Sequence, residues 1–162
     1  MVVMLAMMFA FLLIYETSLT INDAAIDNFE IENQVYHTAF SLSSLGSPQG
    51  NDDPDFTLTN DGQEKLWDFE NFLVLIEYDG EANGGTRYVE TFTYSGSCSG
   101  NPPVGNWCID AWNNDNMEPN ILNTGESIDI IATTSDDLEN TGLIVVSVST
   151  ENGVTATISD TI

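Results

Sequence analysis

The sequence predicts an α+β chain in which a long N-terminal hydrophobic α-helix precedes an all-β immunoglobulin-like sandwich of about seven strands. Two observations support this prediction. Apolar residues recur at helical spacing through the start of the chain, and no Pro or Gly interrupts them before Gly46. Beyond residue 55 the apolar period becomes two, and turn residues separate the runs. We therefore expect an assembly helix and stalk at 1–46, a linker at 47–55 and a β-sandwich domain at 56–162.

The chain starts with fifteen uncharged, mainly apolar residues, and its first basic residue is Lys65. A membrane anchor normally carries Lys or Arg on its cytoplasmic flank, because these charges set its orientation. We therefore expect that a short basic leader was cleaved in front of the apolar segment. The segment is shorter than the roughly 20 residues that span a bilayer. This length fits a helix that is held in the membrane before assembly and then packs against the same helix of other subunits. The alternative is a plain single-pass anchor, or a signal anchor whose start is misassigned.

A heptad stripe of apolar residues continues past this segment on the same predicted helix. A helix of about 45 residues would be about 65 Å long, and it needs a packing partner to be stable. The heptad favours neighbouring helices as that partner, although the lower helix would also pack on its own sandwich if another face were used. The residues expected to make the assembly contacts are Leu5, Met8, Phe9, Leu12, Tyr15, Leu19, Ile26, Phe29, Tyr36 and Phe40.

Short runs rich in β-branched and aromatic residues follow the linker. Asn60-Asp61-Gly62 marks a turn, and Asn152-Gly153 favours a tight hairpin between the last two runs. Runs of this length and spacing are typical of a β-sandwich. The predicted strands lie at 56–59, 72–78, 87–94, 107–112, 127–133, 143–150 and 154–159.

The chain is strongly acidic, with 26 acidic residues against 2 basic ones and a net charge of −24. Nucleic acids and anionic membrane surfaces are therefore poor partners, because their phosphates would be repelled, and we expect no nucleic acid to bind. Hydrophobic residues make up 42% of the chain and aromatic residues 10%, which is enough for a folded core rather than a disordered segment. Such an acidic exterior fits a surface exposed to salt.

Cys98 and Cys108 enclose a loop rich in Gly and Pro. We expect them to form a disulfide, which would stabilise the fold by up to about 2–3 kcal/mol and would indicate an oxidising, extracytoplasmic setting. The alternative is half of a metal site, but the single histidine, His37, lies on the predicted stalk.

The sequence predicts no catalytic group, no cofactor and no metal ion. Asp52, Asp53 and Asp55 form one acidic cluster, and the segment from Asp110 to Glu118 forms another. Oxygen-rich loops of this kind can hold Ca²⁺, but neither has the alternating acids and central Gly of an EF-hand loop. We expect solvated acidic loops, with a calcium site as the alternative.

A leaderless apolar helix, a long stalk and a C-terminal sandwich together resemble the archaeal type IV pilin superfamily. That superfamily includes adhesive pilins, archaellins and archaellum stator-type proteins. The strand and turn at 56–62, the Gly-Glu entry into a late strand at 123–130 and the closing hairpin at 143–158 are similar to motifs of those domains. Leu5 stands where bacterial pilins carry Glu, and Met and Phe replace the Gly- and Ala-rich start of archaellins.

The resemblance implies a structural subunit of an extracellular pilus-like or archaellum-like filament, with a role in adhesion or motility and without catalysis. Its partners would be copies of itself in a helical homopolymer, with the surface layer or related filament subunits as further possibilities. Before assembly the subunit would be held in the membrane, with its leader removed. The alternative is a membrane-anchored archaellum stator-type protein whose sandwich binds the surface layer.

Overall fold

The computed structural model describes residue 26 and residues 29–46, 53–81, 86–139 and 141–161. The chain divides into two compact units, Met1–Tyr36 and His37–Ile162. A helix covers residues 29–37, and residue 26 is helical as well. The expected stripe residues Ile26, Phe29 and Tyr36 are exposed. The expected assembly residues from Leu5 to Leu19 lie outside the described ranges. Among the described residues, no helix is long and apolar enough to cross a bilayer.

The regular structure described in the second unit consists mainly of strands. Its described residues also include a short 3₁₀ helix at Phe69–Asn71. Seven of the strands coincide with the seven predicted from the alternating pattern. The strands are β1 Phe40–Gly46, β2 Asp55–Asn60, β3 Leu73–Gly80, β4 Thr86–Ser97, β5 Asn106–Asn113, β6 Ser127–Ala132, β7 Leu143–Ser149 and β8 Thr155–Thr161.

Strand β1 corrects the prediction of a helix that continues to residue 46. Helical structure ends at residue 37, and Phe40 pairs with Asn60 at the start of an antiparallel ladder between β1 and β2. Phe40 is a buried core residue of the sandwich, so its assignment to the assembly helix was wrong. The physical reason is visible in Phe-Ser-Leu-Ser, since Phe40 and Leu42 alternate with serines, which are unfavourable in helix interiors. The predicted linker therefore lies between β1 and β2, rather than between the helix and the sandwich.

The strands follow one another in the order β1-β2-β6-β5-β4-β3-β7-β8. Strand β4 connects the two layers, because its first half pairs with β3 and its last residues pair in parallel with β5. Strands β1, β2, β6 and β5 take the places of strands A, B, E and D of an immunoglobulin sandwich. Strands β4, β3, β7 and β8 take the places of C′, C, F and G, and this order is that of an immunoglobulin sandwich with strand C′ added.

A single hydrophobic core fills the space between the layers. Alternate residues of β2, β3, β6 and β7 are buried, as the period of two predicted, whereas β5 buries three consecutive residues at its register shift. Each fully buried aliphatic or aromatic side chain stabilises the fold by about 1.5–3 kcal/mol relative to exposure. The largest of these buried side chains are Trp107, Tyr78, Phe56, Leu58, Ile76, Ile109, Leu122, Ile128, Ile130 and Ile144.

The turn at 60–62 fastens the chain that leads into β1. Asn60 is fully buried, and its Nδ2 donates hydrogen bonds of 2.8 Å to the carbonyl oxygens of Glu64 and Leu122. Its Oδ1 accepts a hydrogen bond of 3.0 Å from the N–H of Gly62. A Cβ on Gly62 would lie 2.4 Å from the backbone nitrogen of Ala39, so only glycine allows the two segments to approach this closely.

Candidate interaction surface

The outer side of the layer β4-β3-β7-β8 differs from the rest of this acidic domain. Its residues alternate with core residues along each strand, so they point away from the core. Most of them are neutral, and we call this surface the charge-sparse face. Its residues are Arg87, Val89, Thr91, Leu73, Leu75, Glu77, Asp79, Leu143, Val145, Ser147, Ser149, Thr155, Thr157, Ser159 and Thr161.

Side chains on this face interact with one another across the strands. The hydroxyls of Ser147 and Thr157 lie 3.0 Å apart, and those of Ser149 and Thr155 lie 2.7 Å apart. Because these hydroxyl groups already have partners within the sheet, covering them with another protein leaves fewer polar groups unsatisfied. Leu73, opposite Ser149, and Val89, opposite Glu77, are exposed and add apolar area to the same face.

The three charged residues of this face form one network. Arg87 donates from Nε to Glu77 Oε1 at 2.8 Å and from Nη1 to Asp79 Oδ1 at 3.1 Å. Arg87 Nη1 also donates to the carbonyl oxygen of Leu143 at 2.8 Å. The N–H of Leu143 and the Arg87 guanidinium hold the pKa of Asp79 below its usual value. One positive and two negative charges leave this face with a net charge of about −1.

The outer side of the other layer also has many neutral residues, but three acids lie together on it. Asp55, Asp110 and Asp129 line an open groove of about 360 Å³ across β2, β5 and β6, and no basic residue is among its lining residues. Burial raises the pKa of Asp55, and the charges of Asp129 and Asp110 raise it further. Thr57 and Asn113 donate hydrogen bonds of 2.8 and 2.9 Å to Asp129. The two outer faces of the sandwich are therefore electrostatically unequal.

The acidic clusters of the sequence do not converge on a metal centre in the described ranges, where no group of three or more His, Cys, Asp or Glu side chains is arranged to hold a metal ion. Asp52 lies outside these ranges, and Asp53 accepts a hydrogen bond from Asn101. His37 stands at the end of the helix, and its carbonyl oxygen accepts a hydrogen bond of 2.8 Å from the N–H of Gln63.

Cys98 and Cys108 form a disulfide, with their Cα atoms 5.2 Å apart. Cys98 directly follows β4 and Cys108 lies within β5, so the bond fastens these two strands to each other. The N–H of Cys98 also donates to the carbonyl oxygen of Ile109 at 2.8 Å. The disulfide therefore reinforces the place where β4 passes from one layer to the other.

Sequence reasoning placed the interaction residues on the N-terminal helix and did not single out this face. The signal was present in the closing hairpin, since Glu151 in the turn is the sole charged residue from 143 to 159. In a chain with 26 acidic residues, this stretch places neutral residues at the outward positions of both strands.

A comparison with protein-family models finds no match to this sequence, and a comparison with curated proteins finds no significant match. Solved structures do match. The archaellum periplasmic stator protein FlaG from Sulfolobus acidocaldarius is similar with a TM-score of 0.53 and 19% identity, over 76% of this chain and 99% of that chain. A structure of the stator protein complex FlaF and FlaG from the same organism is similar with a TM-score of 0.53 and 20% identity, over 75% of this chain and 87% of that chain.

An archaeal flagellin, FlaB1 from Methanocaldococcus jannaschii, is similar with a TM-score of 0.52 and 15% identity, over 76% of this chain and 90% of that chain. The chain thus has the β-sandwich fold that archaellum stator proteins share with an archaeal flagellin. The resemblance predicted from the sequence is confirmed at the level of the fold.

Proposed function

We propose that this protein is a structural subunit of an archaellum-related surface filament, which assembles through its N-terminal apolar helix and makes lateral contacts through the charge-sparse face. The observation that carries the proposal is the grouping of neutral residues on one side of a domain whose chain has a net charge of −24. The fold similarity to an archaeal flagellin supports it. The proposed role is mechanical, without catalysis, and the proposed location is the cell exterior after release from the membrane.

Electrostatics explain why this face would be the one in contact. Two like charges 4 Å apart repel by about 1 kcal/mol in water and by about 4 kcal/mol at an effective dielectric constant of 20. A contact through the groove of Asp55, Asp110 and Asp129 would bring several such charges together without a cation to offset them. A contact through the charge-sparse face brings together mainly hydroxyl and aliphatic groups.

The size of the face explains why the helix is also needed. Four strands of about seven residues, spaced about 4.8 Å apart, project an area of roughly 400 Å². A standard stable interface buries about 800 Å² on each partner. The face alone would therefore give a weak contact, and repeated contacts along a polymer, together with packing of the apolar helices, would supply the rest.

An archaellum stator-type protein is the second candidate. It is favoured by the match to FlaG, because that match extends over 99% of the FlaG chain. The stator complex that pairs FlaF with FlaG suggests that the charge-sparse face would then meet a related component, or the surface layer, instead of a copy of this chain.

A matched pair of substitutions tests the proposal. Thr157→Glu adds a charge to the charge-sparse face, whereas Thr59→Glu adds the same charge to the outer side of β2. We expect electron microscopy of cells to show few or short filaments with Thr157→Glu and normal filaments with Thr59→Glu, with both sandwiches folded by circular dichroism. Normal filaments in both variants would contradict the lateral contact.

The helix is tested separately with Leu12→Asp or Phe9→Asp, which lie outside the described residues. A buried unpaired charge costs several kcal/mol, so a filament subunit should lose its filaments altogether. Normal filaments on non-motile cells would contradict the subunit role and support the stator-type role.

A further inference from the structure

A cleft opens at the point where β4 leaves β3 and joins β5. Its volume is about 530 Å³, which is in the range of sites that take a small molecule or a short peptide segment. The aromatic residues Trp67, Tyr94 and Trp112 line it, together with Phe69 of the short 3₁₀ helix. Trp67 is 62% exposed, which leaves a large ring surface in water.

The walls of this cleft are held in place by aromatic packing. Phe69 is buried, and its ring centroid lies 5.8 Å from that of Trp112 and 6.0 Å from that of Tyr94. Tyr94 lies 4.7 Å from the fully buried Trp107. A ligand would therefore meet ordered rings at Tyr94 and Trp112, and little conformational entropy of these two side chains would be lost on binding.

The cleft is also negatively charged. Asp68 and Glu70 stand on either side of Phe69 and both line the cleft, while none of the lining residues is Lys or Arg. Asp68 Oδ2 accepts one hydrogen bond of 2.7 Å, from Asn71 Nδ2. Burial raises the pKa of Tyr94, and the charge of Glu70 raises it further.

We propose that this cleft binds an arginine side chain of a protein partner other than a copy of this chain. Aromatic faces attract cations, and carboxylates form short charge-assisted hydrogen bonds with them. Arginine fits better than lysine, because its planar guanidinium stacks on indole rings while its edge donates to carboxylates.

Another copy of this chain is a poor source of the cation. Arg87 is its one arginine and already donates to Glu77, Asp79 and the carbonyl oxygen of Leu143. Lys65 is paired with Glu118. Removing Arg87 from this network would leave two carboxylates without a cation on the charge-sparse face. Charge complementarity therefore favours a basic segment of a different protein as the partner that binds in the cleft.

The test uses the full chain, labelled with ¹⁵N and held in detergent micelles. Trp67 and Trp112 line the cleft, whereas the buried Trp107 does not, so the indole N–H signals of the three report on the site with an internal control. The probe is the peptide acetyl-Gly-Arg-Gly-amide, and its control is the same peptide with citrulline, which keeps the shape of arginine but has no charge. We expect the arginine peptide to shift the Trp67 and Trp112 signals more than the Trp107 signal, and to bind at least tenfold more tightly than the citrulline peptide.

Two variants locate the charge that is responsible. Glu70→Gln should weaken binding of the arginine peptide at least fivefold, and Glu151→Gln, at the exposed turn between β7 and β8, should leave it unchanged. Equal affinity for the arginine and citrulline peptides would overturn the proposal, as would absence of any shift. Saturation of the same indole signals by a neutral oligosaccharide, with no response to the arginine peptide, would also overturn it and indicate a glycan site.

Discussion

Arg87 and Glu77 form an ion pair on neighbouring strands, with 2.8 Å between Nε and Oε1. The pair matters because the chain has one arginine, and it lies on the face with few acids rather than beside the groove of Asp55, Asp110 and Asp129. Its contribution to stability is small, since partly exposed ion pairs contribute about 0–1 kcal/mol. Its effect on the charge pattern is larger, because it neutralises one of the two acids on the charge-sparse face.

Arg87→Gln should therefore change assembly more than folding. The charge-sparse face would carry a net charge of −2 instead of −1, and its contact would depend more on salt as the Debye length grows from about 8 Å at physiological salt to about 30 Å at 0.01 M. We expect purified assemblies of this variant to melt at lower temperature in low salt, with a steeper salt dependence than the wild type. Lys65→Gln removes the same charge from the exposed pair with Glu118 and is the control. Identical salt dependence in the two variants would contradict a special role of the face.

Asp55→Asn should stabilise the sandwich at neutral pH. The pKa of Asp55 is raised in the folded state by burial and by the charges of Asp129 and Asp110. An acid with a raised folded-state pKa favours the folded state when protonated, so ionisation lowers stability as the pH rises through its unfolded-state and then its folded-state pKa. Thermal unfolding should show a higher midpoint for the variant at pH 7 and a smaller difference near pH 3. A lower midpoint for the variant at pH 7 would contradict this expectation, because it would show that the ionised Asp55 carboxylate stabilises the folded state.

Tyr78→Phe should remove part of the alkaline sensitivity of the fold. Burial is the largest cause that raises the pKa of Tyr78 from 10.0 to about 12, and the hydroxyl donates to Glu90 Oε1 at 2.7 Å. The unfolded chain therefore loses this proton first, and stability falls as the pH rises from about 10 to about 12. The variant should lose about 1–2 kcal/mol of unfolding free energy at neutral pH, because the hydrogen bond is missing. Between pH 9 and pH 12 its unfolding free energy, measured with denaturant, should fall less steeply with pH than that of the wild type. An unchanged slope would show that other groups set the alkaline limit.

Gly62→Ala should destabilise the junction before β1. The added Cβ would lie 2.4 Å from the backbone nitrogen of Ala39 and 2.6 Å from the carbonyl oxygen of His37, and neither backbone atom can move like a side-chain tip. We expect a loss of about 1–3 kcal/mol in the free energy of unfolding, as for other overpacked sites. Gly100→Ala serves as the comparison for a positive φ without crowding, because no atom lies within 4 Å of its Cβ. The φ of Gly62 is not in the left-handed region, so a loss there reports crowding alone, and an unchanged stability of Gly62→Ala would contradict the crowding.

The strands could be predicted where alternation and turn residues agreed, as in 143–150 and 154–159 around Asn152-Gly153. Strand β1 was missed because Phe40 also continues the helical spacing of the preceding segment, and only its pairing with Asn60 decides between the two periods. The charge-sparse face depends on which strands become neighbours, and neutral residues of β3 and β7 lie about 70 positions apart in the chain. The aromatic cleft brings together Trp67, Tyr94 and Trp112 from three separate segments of the chain. No local sequence pattern could therefore predict the cleft.

Electron cryomicroscopy of the assembly formed by the native protein tests the central claim most directly. We expect the sandwiches of neighbouring subunits to meet through the β3 and β7 side, with Val145 and Thr157 in the contact and with Asp55, Asp110 and Asp129 facing solvent. A map in which the acidic groove lies in the contact, or in which the β3 and β7 side faces solvent, would contradict it.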